Sequence, residues 1–349
     1  MISTKTYTIR FNKDGYESLE NLVNNKSYSK LFVIVDENSK KHCLSKLNNK
    51  VSLRLNTLEI KSGEINKNIN TCLEVWNLLT KLEADRRSLI INLGGGVITD
   101  MGGFIASTFK RGIDFVNIPT TLLSMVDASV GSKTGINFNL IKNQIGLFSD
   151  PKLVIIDDDF LATLPTREIA SGYAEIYKHT ILSNENFEQL TKNENLVYNC
   201  DLIRNSIKLK NEVVNKDKYE NNIRKSLNFG HTIGHAIESV FLEKKNKLLH
   251  GEAIAIGMIC ESFISVKTSD FEIEKSDKIK KHLKNIFQEI NFSQDDIKNV
   301  LSLIKFDKKN ELNKPKFALI SQIGKVNLDI EVDDSLIIES IKYYSNKLG

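Results

Sequence analysis

Five short runs rich in β-branched and aliphatic residues punctuate the first half of this chain: Leu31–Asp36, Val51–Ile60, Ser88–Leu93, Phe115–Ile118 and Leu153–Ile156. Bounded apolar runs of this length read as buried strands. Between them lie segments of helical spacing, such as Ile69, Leu73, Trp76 and Leu79 to Leu82. Strands alternating with helices predict a parallel sheet covered by helices. After Asp157-Asp158-Asp159 the pattern changes to long polar-apolar segments of helical period, from about Arg167 to Ile304, with one exception. Two alternating runs within Lys316 to Val332 flank Ile323-Gly324-Lys325 and predict a hairpin. The expected organisation is an α/β domain over residues 1–160 and a mostly helical domain over 161–349, and 349 residues suffice for two cores.

Composition removes several classes of function. The net charge is only +4, and the lysines are scattered among Asp and Glu rather than gathered in a basic stripe, so no nucleic acid partner is expected. No apolar segment follows the first charged residues, and no stretch offers eighteen uncharged apolar residues, so neither export nor a membrane span is expected. Cys43, Cys72, Cys200 and Cys260 form no CxxC pair, which fits a reduced, cytoplasmic setting.

The run Ser88–Leu93 leads directly into Gly94-Gly95-Gly96-Val97-Ile98-Thr99-Asp100, then Gly102-Gly103. Successive glycines let backbone N–H groups approach an anion, and the N-terminus of the following helix adds partial positive charge, which suits a pyrophosphate. The run is not the GxGxxG fingerprint, and glycines at a strand end also make plain turns. Asp36 ends an earlier strand, where a carboxylate meets a ribose hydroxyl or caps a helix. Pro119-Thr120-Thr121 closes another strand at the same sheet edge.

In the helical half, His231 and His235 are four residues apart, so one helix face presents both imidazoles, a spacing that serves zinc in many hydrolases. Spacing alone nominates both as ligands with a carboxylate to complete the site, or one of them as a packing residue. Gly172 to His179 and His250-Gly251-Glu252 are the other segments rich in such groups. A catalytic site of three protein ligands with open positions is expected.

Longer motifs carry a resemblance over nearly the whole chain. They are Gly94 to Asp100, Arg111-Gly112, Ile118 to Leu123, Val126 to Gly135, Lys142-Asn143, Ala174-Glu175 with Lys178, Arg224 to Glu238, and His250 to Met258. In these the chain resembles the bacterial 3-dehydroquinate synthases. It departs from their pattern at Ser132, where that family usually shows a second glycine.

The resemblance implies a Rossmann-like NAD-binding domain, a helical metal-binding domain and a homodimer. It implies one divalent metal, zinc or cobalt, on Glu175, His231 and His250, which moves His235 off the metal and makes it either a support to the ligands or a proton shuttle. The NAD side resembles Asp36, Glu64, Lys67, Gly95, Gly96, Val97, Asp100, Thr120, Thr121, Lys133, Lys142, Thr163 and Leu164. The substrate side resembles Arg111, Asp127, Lys133, Asn143, Lys178, Lys210, Glu220, Arg224, Asn228, His235 and Lys308 or Lys309. Of these, Asp127, Lys133, Lys178, Glu220, Arg224, Asn228 and His235 are implied to act in catalysis. The implied substrate is 3-deoxy-D-arabino-heptulosonate 7-phosphate, held at its phosphate by Arg111, Lys133 and Lys309 and at its carboxylate by Lys210 and Arg224. The implied reaction is transient NAD-dependent oxidation, β-elimination of phosphate, re-reduction, ring opening and aldol closure to 3-dehydroquinate, a step of the shikimate route to chorismate and the aromatic amino acids. A metal-dependent NAD polyol or glycerol-1-phosphate dehydrogenase of the same fold is the alternative.

Overall fold

A computed structural model describes residues 1–139, 141–193, 195–242, 244–306 and 315–345. These form two compact units, one of residues Met1–Pro165 with Lys210–Lys218, the other of Thr166–Leu209 with Tyr219–Gly349.

The first unit is built on strands β1 (Ile2–Ser3), β2 (Thr8–Phe11), β3 (Leu31–Asp36), β4 (Asn56–Ile60), β5 (Leu89–Gly94), β6 (Asp114–Pro119), β7 (Lys133–Phe138), β8 (Ile141–Phe148) and β9 (Leu153–Ile156). Seven of them make one sheet in the order β1-β2-β9-β6-β5-β3-β4, parallel throughout except for the β1–β2 pair. Residues 31–35 and 89–94 are wholly buried, so helices cover both faces and continuous apolar runs, rather than alternation, encode the strands. Phe32, Ile34, Ile90, Ile98, Ile105 and Phe115 share one core cluster, each such side chain contributing roughly 1.5–3 kcal/mol on burial.

Three differences from the expected strands have physical reasons. The run from Val51 pairs only from Asn56, because Arg54 and Asn56 interrupt its apolar character. β1 and β2 are too short to show a period. β7 and β8 form a separate antiparallel hairpin whose second strand is largely exposed and whose first buries only Thr134–Ile136, too short a core-facing run to mark it as the others are marked.

The second unit is helical, with one antiparallel hairpin of β10 (Lys316–Gln322) and β11 (Lys325–Glu331) turning at Gly324, φ +85°. Helix Thr166–Ser183 is buried from Ile169 to Ile181. Tyr173 and Tyr177 on this helix pack against His282, whose Nδ1 donates to the Asn193 carbonyl at 3.1 Å and whose Nε2 accepts from the Tyr173 hydroxyl at 2.9 Å. That arrangement needs a neutral ring. Burial lowers its pKa to about 4 even though the Asn193 carbonyl opposes the shift. Between pH 6.5 and 4 the unfolded chain therefore binds a proton that the folded one refuses, and stability falls as pH drops, by at most about 3 kcal/mol. Urea midpoints at pH 7.5 and 4.5 should differ more for the natural chain than for His282→Gln; equal differences would count against this coupling.

Among the described residues no helix is long and apolar enough to cross a membrane, and all four cysteines are free thiols, with Cys200 alone exposed.

Candidate active site

In the first unit, β5 delivers the glycine run to the carboxyl edge of the sheet. Gly94 pairs with Pro119 of β6, and the Thr120 N–H donates to the Gly94 carbonyl at 3.0 Å. Gly95 is the N-cap of helix Gly96–Thr108, with no side chain to occupy its first N–H groups. Such groups lack intrahelical acceptors, and together with the helix dipole they form an anion-binding end. Val97 packs partly on the core below. Ile34 of β3 pairs with Asn92, which brings Asp36 to the level of Gly94. There Asp36 caps a short helix: its Oδ1 accepts from the Ser39 N–H at 2.7 Å, and the Ser39 hydroxyl accepts from the Asp36 N–H at 2.9 Å. The Thr121 hydroxyl bonds to Ser124 at 2.9 Å, and Thr120 is buried.

Lys67 ties several expected residues together. Only 3% exposed, it donates to Asp100 Oδ2 and to Asn143 Oδ1, both at 2.6 Å. Asn137 Nδ2 donates to Glu64 Oε1 at 2.8 Å, and its Oδ1 accepts from the Asn143 N–H at 2.9 Å. Burial raises the Asp100 pKa, against the pull of the Lys67 ammonium. Asn143, expected on the substrate side, thus shares one network with Glu64, Lys67 and Asp100. Lys142 is half-buried on β8, Thr163 is exposed and Leu164 half-buried.

Asp127 lies in a π-helical turn, Ser124–Ala128, and its carboxylate is ion-paired with Lys210, which also donates to the Asp127 carbonyl at 2.6 Å. Arg111 and Lys133 are exposed. Ser132 holds the left-handed backbone, φ +64°, that a glycine adopts without strain. Its hydroxyl donates to Asp150, which also accepts from Lys218 at 2.7 Å, so local bonds offset a cost of order 1–3 kcal/mol.

In the second unit the histidines stand on two helices, His231–Phe241 and His250–Thr268. Gly230 meets Gly257, Gly234 meets Ile254, and Glu238 meets His250, so the two helices run antiparallel in close contact. A Cβ on Gly257 would stand 1.9 Å from the Gly230 carbonyl oxygen, and one on Gly251 would stand 2.0 Å from the Ser171 carbonyl oxygen. Glycine at these positions lets three helices approach through their backbones. The start of the His250 helix is held further by Glu252, which accepts from the Leu249 N–H at 2.7 Å and takes a two-pronged pair from Arg167 at 2.7 and 2.8 Å.

Glu175, fully buried on helix Thr166–Ser183, faces both imidazoles. Its Oε1 is 3.4 Å from His231 Nε2 and 3.6 Å from His250 Nε2. Bonds of about 2.0–2.2 Å in a tetrahedral site would put neighbouring donor atoms about 3.3–3.6 Å apart. Neither oxygen of Glu175 has a hydrogen-bond partner of good geometry, although the buried Lys178 ammonium forms an ion pair with Oε2. His231 Nδ1 lies 3.2 Å from the Phe229 carbonyl and His250 Nδ1 3.2 Å from Glu238 Oε2. Both partners are acceptors, so each Nδ1 carries a proton and each Nε2 is the ring atom turned toward Glu175. The ligand atoms of His231, His235 and His250 also lie within 4.8 Å of one another, but His235 is exposed.

Charge follows this geometry. Burial would raise the Glu175 pKa, but Lys178 and the two imidazoles outweigh it and hold the carboxyl well below its usual range. Burial, then Lys178, pushes His231 well below 6.5. For His250, burial is overcome by Glu238 and Glu175, and its pKa rises to about 9. A deprotonated carboxylate beside the neutral His231 ring and the His250 Nε2, whose proton a cation would displace, each ring fixed by an acceptor behind it, is a donor set suited to a divalent cation. Nearby, Asn228 donates to Glu220 at 2.8 Å, and Arg224 is buried. Lys308 and Lys309 lie outside the described residues. Glu238 and Glu261 take part in the site and were not singled out in sequence; their only signal is helical register with the histidines.

Comparison with known proteins places the chain in a family. A 3-dehydroquinate synthase of Parabacteroides distasonis is 40% identical over 343 residues, covering 97% of each chain, and one of Campylobacter jejuni is 37% identical over 327 residues, covering 90% of this chain and 93% of the other. A 2-deoxy-scyllo-inosose synthase solved with carbaglucose-6-phosphate, NAD+ and Co2+ superposes with TM-score 0.82 at 25% identity, covering 97% of this chain and 96% of that one. A probable glycerol dehydrogenase of Sinorhizobium meliloti, at TM-score 0.66 and 12% identity with 99% and 97% covered, shares the fold alone. Residues 57–171 match the 3-dehydroquinate synthase N-terminal family and residues 172–310 the 3-dehydroquinate synthase C-terminal family. The chain therefore belongs to the 3-dehydroquinate synthase family.

Proposed function

We propose that this protein converts 3-deoxy-D-arabino-heptulosonate 7-phosphate to 3-dehydroquinate and phosphate in the cytoplasm, using NAD and one divalent metal, zinc or cobalt. The observation that carries the metal is the buried, hydrogen-bond-orphaned carboxylate of Glu175 at donor-edge distances from two Nε2 atoms. Glu175, His231 and His250 are the ligands. His235, exposed and 5.0 Å ring to ring from His231, is left for proton transfer.

When bound, NAD takes up and returns a hydride while the cation acidifies a hydroxyl and polarises a carbonyl. In the first unit the helix end at Gly95 to Val97 binds pyrophosphate, with Thr120 and Thr121 at its edge. Asp36 reaches a ribose hydroxyl, and Lys67 holds Asp100, Asn143 and, through Asn137, Glu64 in one rigid wall. Lys142, Thr163 and Leu164 complete the nucleotide side. Arg111 and Lys133, exposed cations, bind the substrate phosphate, with Lys308 or Lys309. Asp127 orients substrate hydroxyls, its own charge set by Lys210. In the second unit Lys178 balances Glu175 and binds substrate, Arg224 serves the carboxylate, as Lys210 of the first unit does, and Glu220, held by Asn228, passes protons with His235.

Purified protein with catalytic NAD, zinc or cobalt and the heptulosonate phosphate should release phosphate far beyond the NAD added, without NADH accumulation. Absence of phosphate, or NADH formed stoichiometrically from a polyol, would sink the proposal.

The chain acts as a homodimer in this reading. Support comes from the β7–β8 hairpin, where Phe138, Ile141, Ile145, Leu147 and Phe148 are each 38–44% exposed, a cluster a lone chain would leave in water. Sedimentation equilibrium should return the mass of two chains, and Ile145→Lys should shift it toward one; a monomeric natural chain would refute the dimer.

A further inference from the structure

We infer that Glu261 is a positioning residue for His231, acting through a single peptide group; this deepens, and rests on, the metal site proposed above. His250, Gly257 and Glu261 occupy positions i, i+7 and i+11 of one helix and so share one face. That face lies along the antiparallel helix of His231, and Glu261 reaches its beginning.

The beginning of that helix has no cap of its own. The N-cap residue is Gly230, φ +81°, which offers no side-chain acceptor for the first N–H groups. Glu261, with no exposed surface, supplies the acceptors from the neighbouring helix. Its Oε2 takes the Gly230 N–H at 2.7 Å, and its Oε1 takes the Ile233 N–H at 3.1 Å.

The Gly230 N–H and the Phe229 carbonyl belong to the same planar peptide group. That carbonyl is the acceptor of His231 Nδ1 at 3.2 Å. A continuous chain results: Glu261 carboxyl, Gly230 N–H, Phe229 C=O, His231 Nδ1–H, and finally the Nε2 lone pair turned toward Glu175. Gripping the N–H fixes the plane and therefore the direction of the carbonyl. Polarising the amide strengthens the carbonyl as an acceptor, since hydrogen bonds in series reinforce one another. The His250 ring has the same device in shorter form, with Glu238 directly on its Nδ1. Each imidazole thus has a carboxyl group behind it, one in contact and one a peptide away.

The test is titration of metal-free protein with Co2+, following the visible absorption of the bound ion, with melting of the metal-free protein measured alongside. Glu261→Gln keeps the volume but turns one acceptor into a donor that faces an N–H. It should bind Co2+ about 10–100-fold more weakly, with an altered absorption spectrum. A capping role alone would lower the melting temperature and leave the affinity of the folded protein intact. Binding by Glu261→Gln within twofold of the natural chain, with an unchanged spectrum, overturns the inference. Glu261→Ala should weaken binding further, and if it does not fold, the Gln variant still decides. Natural protein that binds no Co2+ would remove the metal site itself, whereas equal binding by natural chain and variant removes only the role of Glu261.

Discussion

Glu175→Gln is expected to reduce turnover on the order of 10^3-fold or more, because on the proposed ligand set the several kcal/mol of charge stabilisation supplied by a bound cation would be lost with its anionic ligand. Metal content should fall from about one ion per chain toward zero. The variant also leaves Lys178, 1% exposed, beside a neutral amide, and an uncompensated buried charge costs about 3–5 kcal/mol. Lower stability of the metal-free variant should therefore accompany the loss of activity. Elemental analysis together with urea unfolding checks both effects. A variant that kept stoichiometric metal would remove Glu175 from the ligand set and favour His231, His235 and His250, whose ligand atoms are also within reach of one another.

Gly257→Ala should destabilise the second unit by about 3 kcal/mol or more, the upper end of overpacking costs. In an ordinary helix interior the same change adds about 1 kcal/mol of stability, so the expected sign is reversed. The reason is the neighbour: the new methyl group would meet the Gly230 carbonyl oxygen at 1.9 Å and the Gly234 nitrogen at 2.8 Å, both backbone atoms that have no rotamer to change. The helices must separate, and His231 moves away from His250. Denaturant midpoints for Gly257→Ala and for Gly96→Ala, whose added Cβ would only touch Ala128 at 3.4 Å, make the comparison. An unchanged or raised midpoint for Gly257→Ala would count against backbone contact between the two helices.

What was legible in the sequence was what burial encodes directly. Leu31–Asp36 and Leu89–Gly94 are central strands covered on both faces, so hydrophobicity alone marks them, and the glycine run had to lie at the sheet's carboxyl edge. The β7–β8 hairpin is poorly marked in the sequence because β8 faces water along most of its length and only the short stretch Thr134–Ile136 of β7 is buried against the core. Helical spacing brought His231 and His235 onto one face but carried no information on which ring turns its Nε2 inward. That depends on Glu175, from a helix more than fifty residues earlier, and on the acceptor behind each ring. Asp36 shows the same limit at smaller scale: its place at a strand end leaves a ribose contact and a helix cap both open, and the cap on the Ser39 N–H depends on how the chain turns just after the strand.

The first unit is not a contiguous stretch of chain. Residues 210–218 return to it from within an unbroken helix, Cys200–Lys216, placing the Lys210 ammonium on Asp127 and the Asn211 amide on the Ser3 carbonyl at 3.1 Å. A gene fragment ending at Pro165 would code for the whole seven-stranded sheet and still omit the partner of Asp127. Cloning borders drawn at the edge of the sheet would thus yield a nucleotide-binding module with a wound in it, and co-expression of the two halves, rather than either one alone, is the route by which a split version of this protein would be rebuilt.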